Sequence, residues 1–217
     1  MNPWSKKQMS MVFLVLFYFI FCGLSGCSQE AKKERHWKRG ENYFSQNKFR
    51  EAIIEYRNVL QADPKDANAH YKLGLSYFTL GQGREALSEF LKSIDLKPDF
   101  TDAHLQLGNL YLLSRDSKKA KEQAEKVLAK EPNNSSGHLL MSSIHAVDRD
   151  LEKAISEAKK AIEKDPKKIE AYLHLANLYI LKKDLAQAEK MLKDAIKVDE
   201  RSTQARYALA EFYRRTG

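Results

Sequence analysis

Five stretches of this chain superpose when the sequence is slid 34 residues at a time: "KFREAIIEYRNVLQADP", "QGREALSEFLKSIDLKP", "DSKKAKEQAEKVLAKEP", "DLEKAISEAKKAIEKDP" and "DLAQAEKMLKDAIKVDE". Between them recurs a second pattern: "HYKLGLSYFTLG", "HLQLGNLYLLSR", "HLLMSSIHAVDR" and "YLHLANLYILKK". A fixed period of this length marks a stack of like units, each too small to bury its own apolar face. With Lys33 as position 1, five units run over 33–66, 67–100, 101–134, 135–168 and 169–202, and a sixth starts at Thr203.

Position 8 is small throughout (Gly40, Gly74, Gly108, Ser142, Ala176, Ala210), and position 20 is always alanine (Ala52, Ala86, Ala120, Ala154, Ala188). Position 11 is Tyr43, Tyr77, Tyr111, His145, Tyr179 and Tyr213. Small residues at 8 and 20 let two antiparallel helices approach, while large residues at 7, 11 and 24 fill the space beside them. Pro64, Pro98, Pro132 and Pro166 hold register just past the second helix, where a missing N–H and a fixed φ stop it; Glu200 replaces the fifth.

This pattern resembles the tetratricopeptide repeat, from Lys33 to Gly217. The resemblance implies an all-α fold, an α-solenoid of helix-turn-helix units wound as a right-handed superhelix. Helix A of each unit would line the concave side, with positions 2, 5, 9 and 12 pointing into the groove. The groove candidates are then Trp37, Glu41 and Phe44; Tyr71, Leu75 and Phe78; Leu105, Asn109 and Leu112; Leu139 and Ser143; and Leu173, Asn177 and Ile180. An apolar and aromatic groove with amides suits an extended or helical peptide segment. The competing reading of positions 5 and 12 is that they pack neighbouring repeats. The family's Lys/Asn/Arg clamp for a terminal carboxylate is not matched: Asn109 and Asn177 fit its amide part, but Lys38 and Lys72 fall at position 6.

Position 4, often Trp in the family, is His36, His70, His104 and His138, then Tyr172 and Arg206. Ligands of one zinc lie within about 4 Å of each other. Equivalent positions of stacked helices are about 8–10 Å apart and usually more, so these histidines do not readily share an ion. No metal site and no cofactor is expected. Catalysis has no support either: there is no phosphate loop, nucleophile elbow or oriented Ser–His pair, and the Asp-Pro pairs read as helix ends. The formal charge is +8, but Lys and Arg alternate with Glu and Asp, so no helix carries a one-signed stripe for nucleic acid. Neither nucleic acid nor a small-molecule substrate is expected, and the chain is expected not to be an enzyme.

At the N-terminus, Lys6 and Lys7 precede the apolar run "MVFLVLFYFIFCGL". That run is short for a membrane span and suits a signal-peptide core. Leu24-Ser25-Gly26-Cys27 resembles the lipobox of bacterial lipoproteins. The resemblance implies a signal peptide over 1–26, cleavage between Gly26 and Cys27, and acylation of Cys27. Several acyl chains give stable anchoring where one is marginal. Cys22 falls inside the removed segment, which leaves no internal disulfide. Ser28, where lipoproteins retained in the inner membrane carry Asp, points to the outer membrane. A tether over 27–32 then reaches less than about 20 Å. It would hold Lys32, Lys33, Arg35, Lys38 and Arg39 near anionic headgroups.

The sixth unit reaches position 15 at Gly217, with Tyr207, Leu209, Phe212 and Tyr213 on its helix, and the expectation is a fragment of a longer repeat lipoprotein. The expected function is a membrane-anchored, periplasm-facing scaffold of the bacterial cell envelope that binds a protein or peptide segment in the concave groove. Similar units occur in tetratricopeptide lipoproteins of exopolysaccharide and exosortase (PEP-CTERM) systems. The alternatives are a type IV pilus assembly lipoprotein, or the repeat arm of a larger enzyme whose catalytic domain is missing from this chain.

Overall fold

The computed structural model describes residues 29–216, so Gly26, Cys27 and the expected cleavage and lipidation lie outside the described residues. Those residues form eleven helices and no strand. Helix α1 covers 29–45. It is followed by α2 (Phe49–Ala62), α3 (Ala67–Thr79), α4 (Gly83–Leu96), α5 (Thr101–Leu113) and α6 (Ser117–Lys130). Then come α7 (Ser135–Val147), α8 (Leu151–Lys164), α9 (Ile169–Leu181), α10 (Leu185–Val198) and α11 (Thr203–Thr216). From α3 onward each helix A starts at position 1 of its unit, and every helix B starts at position 17, as the 34-residue register requires. No described helix is long and apolar enough to cross a membrane.

One hydrogen-bonded turn recurs between helices A and B. In the third unit Arg115 N–H donates to the Leu112 carbonyl at 2.9 Å, and Asp116 N–H to that of Tyr111 at 2.8 Å. The same pair of bonds closes the turns at Asn47, Gly81, Arg149 and Lys183. This is the Schellman arrangement, which requires a left-handed residue just past the helix. Accordingly position 15 has positive φ in every one of these turns: Asn47 57°, Gly81 73°, Arg115 60°, Arg149 64° and Lys183 65°. The next residue, at position 16, is the N-cap of helix B. Asp116, Asp150 and Asp184 cap it by accepting the backbone N–H of Lys119, Lys153 and Gln187.

The described residues divide into two compact units, which separate between Lys97 and Pro98. In the first, Ala52, Tyr56, Val59, Ala69, Ala86 and Phe90 are fully buried. The Tyr56 ring covers Gly40 and the Phe90 ring covers Gly74, so closely that a Cβ on either glycine would lie 2.7 Å from the ring. The small residue at position 8 is thus matched by a large one at position 24 of the same repeat.

The second unit uses another solution. Its position 24 shrinks to Ala124 and Ala158 in the third and fourth repeats and is Leu192 in the fifth. The space over Gly108 is filled instead by Leu140, from position 6 of the next helix A. In the following repeat Ser142 Oγ lies 2.8 Å from His174 Nε2, again position 6 of the next helix. Here α5 packs on α7, α7 on α9 and α9 on α11, with the B helices wedged between successive A helices. Two apolar clusters form the core, one around Leu105, Val127, Leu140 and Ile144, the other around Ala158, Leu175, Leu178, Leu192 and Phe212.

Candidate functional site

The position-4 histidines are structural clamps. His70 Nε2 lies 3.1 Å from the Pro64 carbonyl and Nδ1 2.5 Å from Glu89. His104 meets the Pro98 carbonyl at 2.9 Å and Gln123 at 2.7 Å; His138 meets the Pro132 carbonyl at 3.0 Å and Glu157 at 2.7 Å. Each ring therefore ties the carbonyl of the proline six residues before it to helix B of its own repeat. Where histidine gives way to Tyr172, the phenol donates to the Pro166 carbonyl at 3.0 Å, and Arg206 reaches the Glu200 carbonyl. Position 4 keeps a donor for that carbonyl, whatever side chain carries it. Among the described residues no three His, Cys, Asp or Glu side chains gather as a metal site.

Four of the groove candidates of the first unit are engaged with neighbours outside the candidate set. Trp37 is half-buried, its ring centroid 5.8 Å from that of Tyr56, and Tyr71 lies 6.1 Å from Phe90. Glu41 accepts from Tyr56 Oη at 2.5 Å and from Lys72 Nζ at 2.9 Å. Burial and this carboxylate together push the Tyr56 phenol well above its ordinary range. Phe44 stands edge-on to Phe49 at 5.2 Å, with Lys72 Nζ 5.3 Å from its ring centroid. Leu75 and Phe78 are half-buried. Among these side chains the Glu41 carboxylate is already paired.

In the second unit the candidates separate. Leu105 is buried in the core and Leu112 packs against it, which answers to the packing reading of positions 5 and 12. Leu139 is half-buried, and Ser143 donates back to the Leu139 carbonyl at 2.9 Å. Asn109 and Asn177 are exposed. Leu173, Asn177 and Ile180 converge, with Leu192 and the α11 residues Gln204, Tyr207, Ala208, Glu211, Phe212 and Arg215, on a recess of about 380 Å³. Its floor is apolar, its two amides offer donors and acceptors, and Tyr207 stands 73% exposed at its rim. Hydrogen bonds from Arg214 and Arg215 push the Glu211 carboxyl down to about 2, so this rim holds a carboxylate already matched by two guanidiniums.

One feature lies outside the sequence-derived set. At position 13, immediately after the groove position 12, Leu113, Val147 and Leu181 are 72%, 50% and 63% exposed. The recurrence of an aliphatic residue at this register is legible in the sequence; its exposure is not, because it sits next to residues that pack.

The described helices match a model of the TPR repeat over residues 40–81 and a tetratricopeptide repeat model over 77–144 and 148–212. No curated protein sequence matches the chain significantly. Among solved structures, a thermophilic TPR protein of Thermus thermophilus superposes with a TM-score of 0.76 at 18% identity, over 83% of this chain and 98% of that one. MamA from Desulfovibrio magneticus RS-1 gives 0.64 at 24% identity, over 80% and 97%. The Pseudomonas aeruginosa pilF structure gives 0.69 at 13% identity, over 87% and 91%. At these identities the likeness is one of fold. The repeat models cover most of the chain, and their register is that of its helices, turns and prolines: the chain belongs to the tetratricopeptide repeat family, an all-α solenoid suited to binding protein or peptide partners.

Proposed function

We propose that this protein is a lipid-anchored scaffold of the bacterial cell envelope that holds a segment of a partner protein along its A helices, in a system exporting exopolysaccharide or surface proteins. The observation that carries the binding part is the recess, where Leu173, Asn177 and Ile180 of α9 face Tyr207 and Phe212 of α11. A recess of about 380 Å³ takes one or two side chains of a segment. The amides of Asn177 and Gln204 then serve its backbone, because a peptide laid against an apolar floor must pair its own polar groups. The anchoring part is supported by the lipobox-like Leu24-Ser25-Gly26-Cys27 behind a basic and apolar leader.

The test introduces a photo-crosslinking residue at Asn177 in bacterial cells expressing the full chain. An envelope protein should be trapped, and Ala208→Trp, which fills the recess, should abolish the product. Crosslinks that survive Ala208→Trp, or no envelope adduct at all, would remove the binding reading. Separately, labelled fatty acid should be incorporated and the chain should fractionate with membranes, both lost in Cys27→Ser. An unlabelled chain that remains with the membranes would remove the anchoring reading.

A further inference from the structure

The A–B turns of the second unit carry a repeated pair of features. Arg115, Arg149 and Lys183 occupy the left-handed position, at φ of 60°, 64° and 65°. Gly81 fills the same place at 73° in the second repeat and shows the unstrained choice. A long side chain in this conformation is disfavoured relative to glycine. Two residues earlier stand the exposed Leu113, Val147 and Leu181. Each of the three repeats thus presents one exposed aliphatic group beside one basic group.

The carboxylates nearby are mostly committed. Asp116 and Asp150 cap their helices and pair with Lys119 and Lys153 at 3.1 and 2.6 Å, Asp184 caps α10, and Glu152 pairs with Lys182 at 2.6 Å. Among the described residues, Arg115, Arg149 and Lys183 have no ion-pair partner, and Asp148 is the remaining acid of these turns.

We propose that this edge docks an acidic amphipathic helix of a partner protein. Its aliphatic side chains would rest on Leu113, Val147 and Leu181, and its carboxylates on Arg115, Arg149 and Lys183. Directly packed helices have axes about 8–10 Å apart. A helix repeats one face every seven residues, about 10.5 Å, so its apolar groups can meet one repeat each. Charge complementarity selects the sign. A lipid surface is the competing occupant, and the vesicle arm of the test separates the two. The proposal rests on the groove reading, because Leu181 continues directly from Ile180 at the recess.

The experiment measures fluorescence anisotropy of a labelled helical peptide, with Leu every seventh residue and flanking Glu, against the full chain. A twin peptide carries Lys for Glu, and a third arm uses vesicles containing phosphatidylglycerol. The glutamate peptide should bind at least tenfold tighter than its twin. Both R115G/R149G/K183G and L113S/V147S/L181S should weaken it at least tenfold. The glycine triple relieves backbone strain, so its loss of binding cannot be read as misfolding; a thermal melt at or above the parent's confirms this. Equal binding of the twins, or a glycine triple that binds like the parent, overturns the proposal. Vesicle adsorption that the variants abolish, without peptide binding, also overturns it in favour of lipid. If Asn177 still crosslinks a partner while the glycine triple binds the peptide unchanged, this edge falls and the groove reading stands.

Discussion

Leu140 of α7 fills the space above Gly108 of α5, where a Cβ would come within 2.5 Å of its Cδ2. The residue that completes the third repeat's core therefore comes from the fourth repeat, in contrast to Gly40 and Gly74, which are covered by Tyr56 and Phe90 of their own repeats. Leu140→Ala should cost about 2–5 kcal/mol, the range for a buried leucine truncated to leave a cavity. Gly108→Ala should cost about 1–3 kcal/mol by overpacking. Urea unfolding followed by circular dichroism measures both. A cost under about 0.5 kcal/mol for Leu140→Ala would show that Leu140 does not complete this core.

The histidine clamps predict an ordering. His138→Ala leaves the Pro132 carbonyl without its ring donor and should destabilise by about 1–3 kcal/mol. His138→Tyr should be milder, because Tyr172 already reaches the equivalent Pro166 carbonyl. Thermal melts that rank the two the other way would remove the donor interpretation of position 4.

At Arg149 the helix turn holds a non-glycine residue at φ 64°. Arg149→Gly should stabilise by about 0.5–1 kcal/mol: the left-handed strain on a side chain is about 1–2 kcal/mol, partly offset by the greater freedom of glycine in the unfolded chain. A drop in melting temperature would mean that the arginine side chain makes a compensating contribution, such as to the helix dipole.

Acid should loosen the repeats through their paired carboxylates. Burial works to raise Glu157, but hydrogen bonds from Lys160 and His138 outweigh it and hold its carboxyl below the ordinary value of 4.5. Asp63 is held below 3.8, chiefly by Lys33. A depressed folded-state value means stability that is present above the unfolded value and lost as pH falls through the folded one. Melting temperature should therefore decline below about pH 4.5. Glu157→Gln should flatten the part of that decline owed to its carboxylate. An identical pH profile in the variant would show that Glu157 is not among the groups responsible.

The repeat period was legible from residue spacing alone, because it depends on local chemistry; the start of helix B was not, since position 15 is the left-handed turn residue and helix B starts at position 17. The period of 34, alanine at position 20 and proline at position 32 dictate where chains approach and where helices stop. The groove was legible only in part. Helix geometry places Leu105 and Leu173 at the same register, yet Leu105 is buried and Leu173 lines a recess. The difference comes from which neighbour fills the adjoining space. The same holds for position 8: spacing predicts that it must be small, while tertiary packing decides whether Tyr56 of the same repeat or Leu140 of the next one covers it. Close-packed interiors leave that choice to the sum of volumes across several helices, a quantity no single repeat contains.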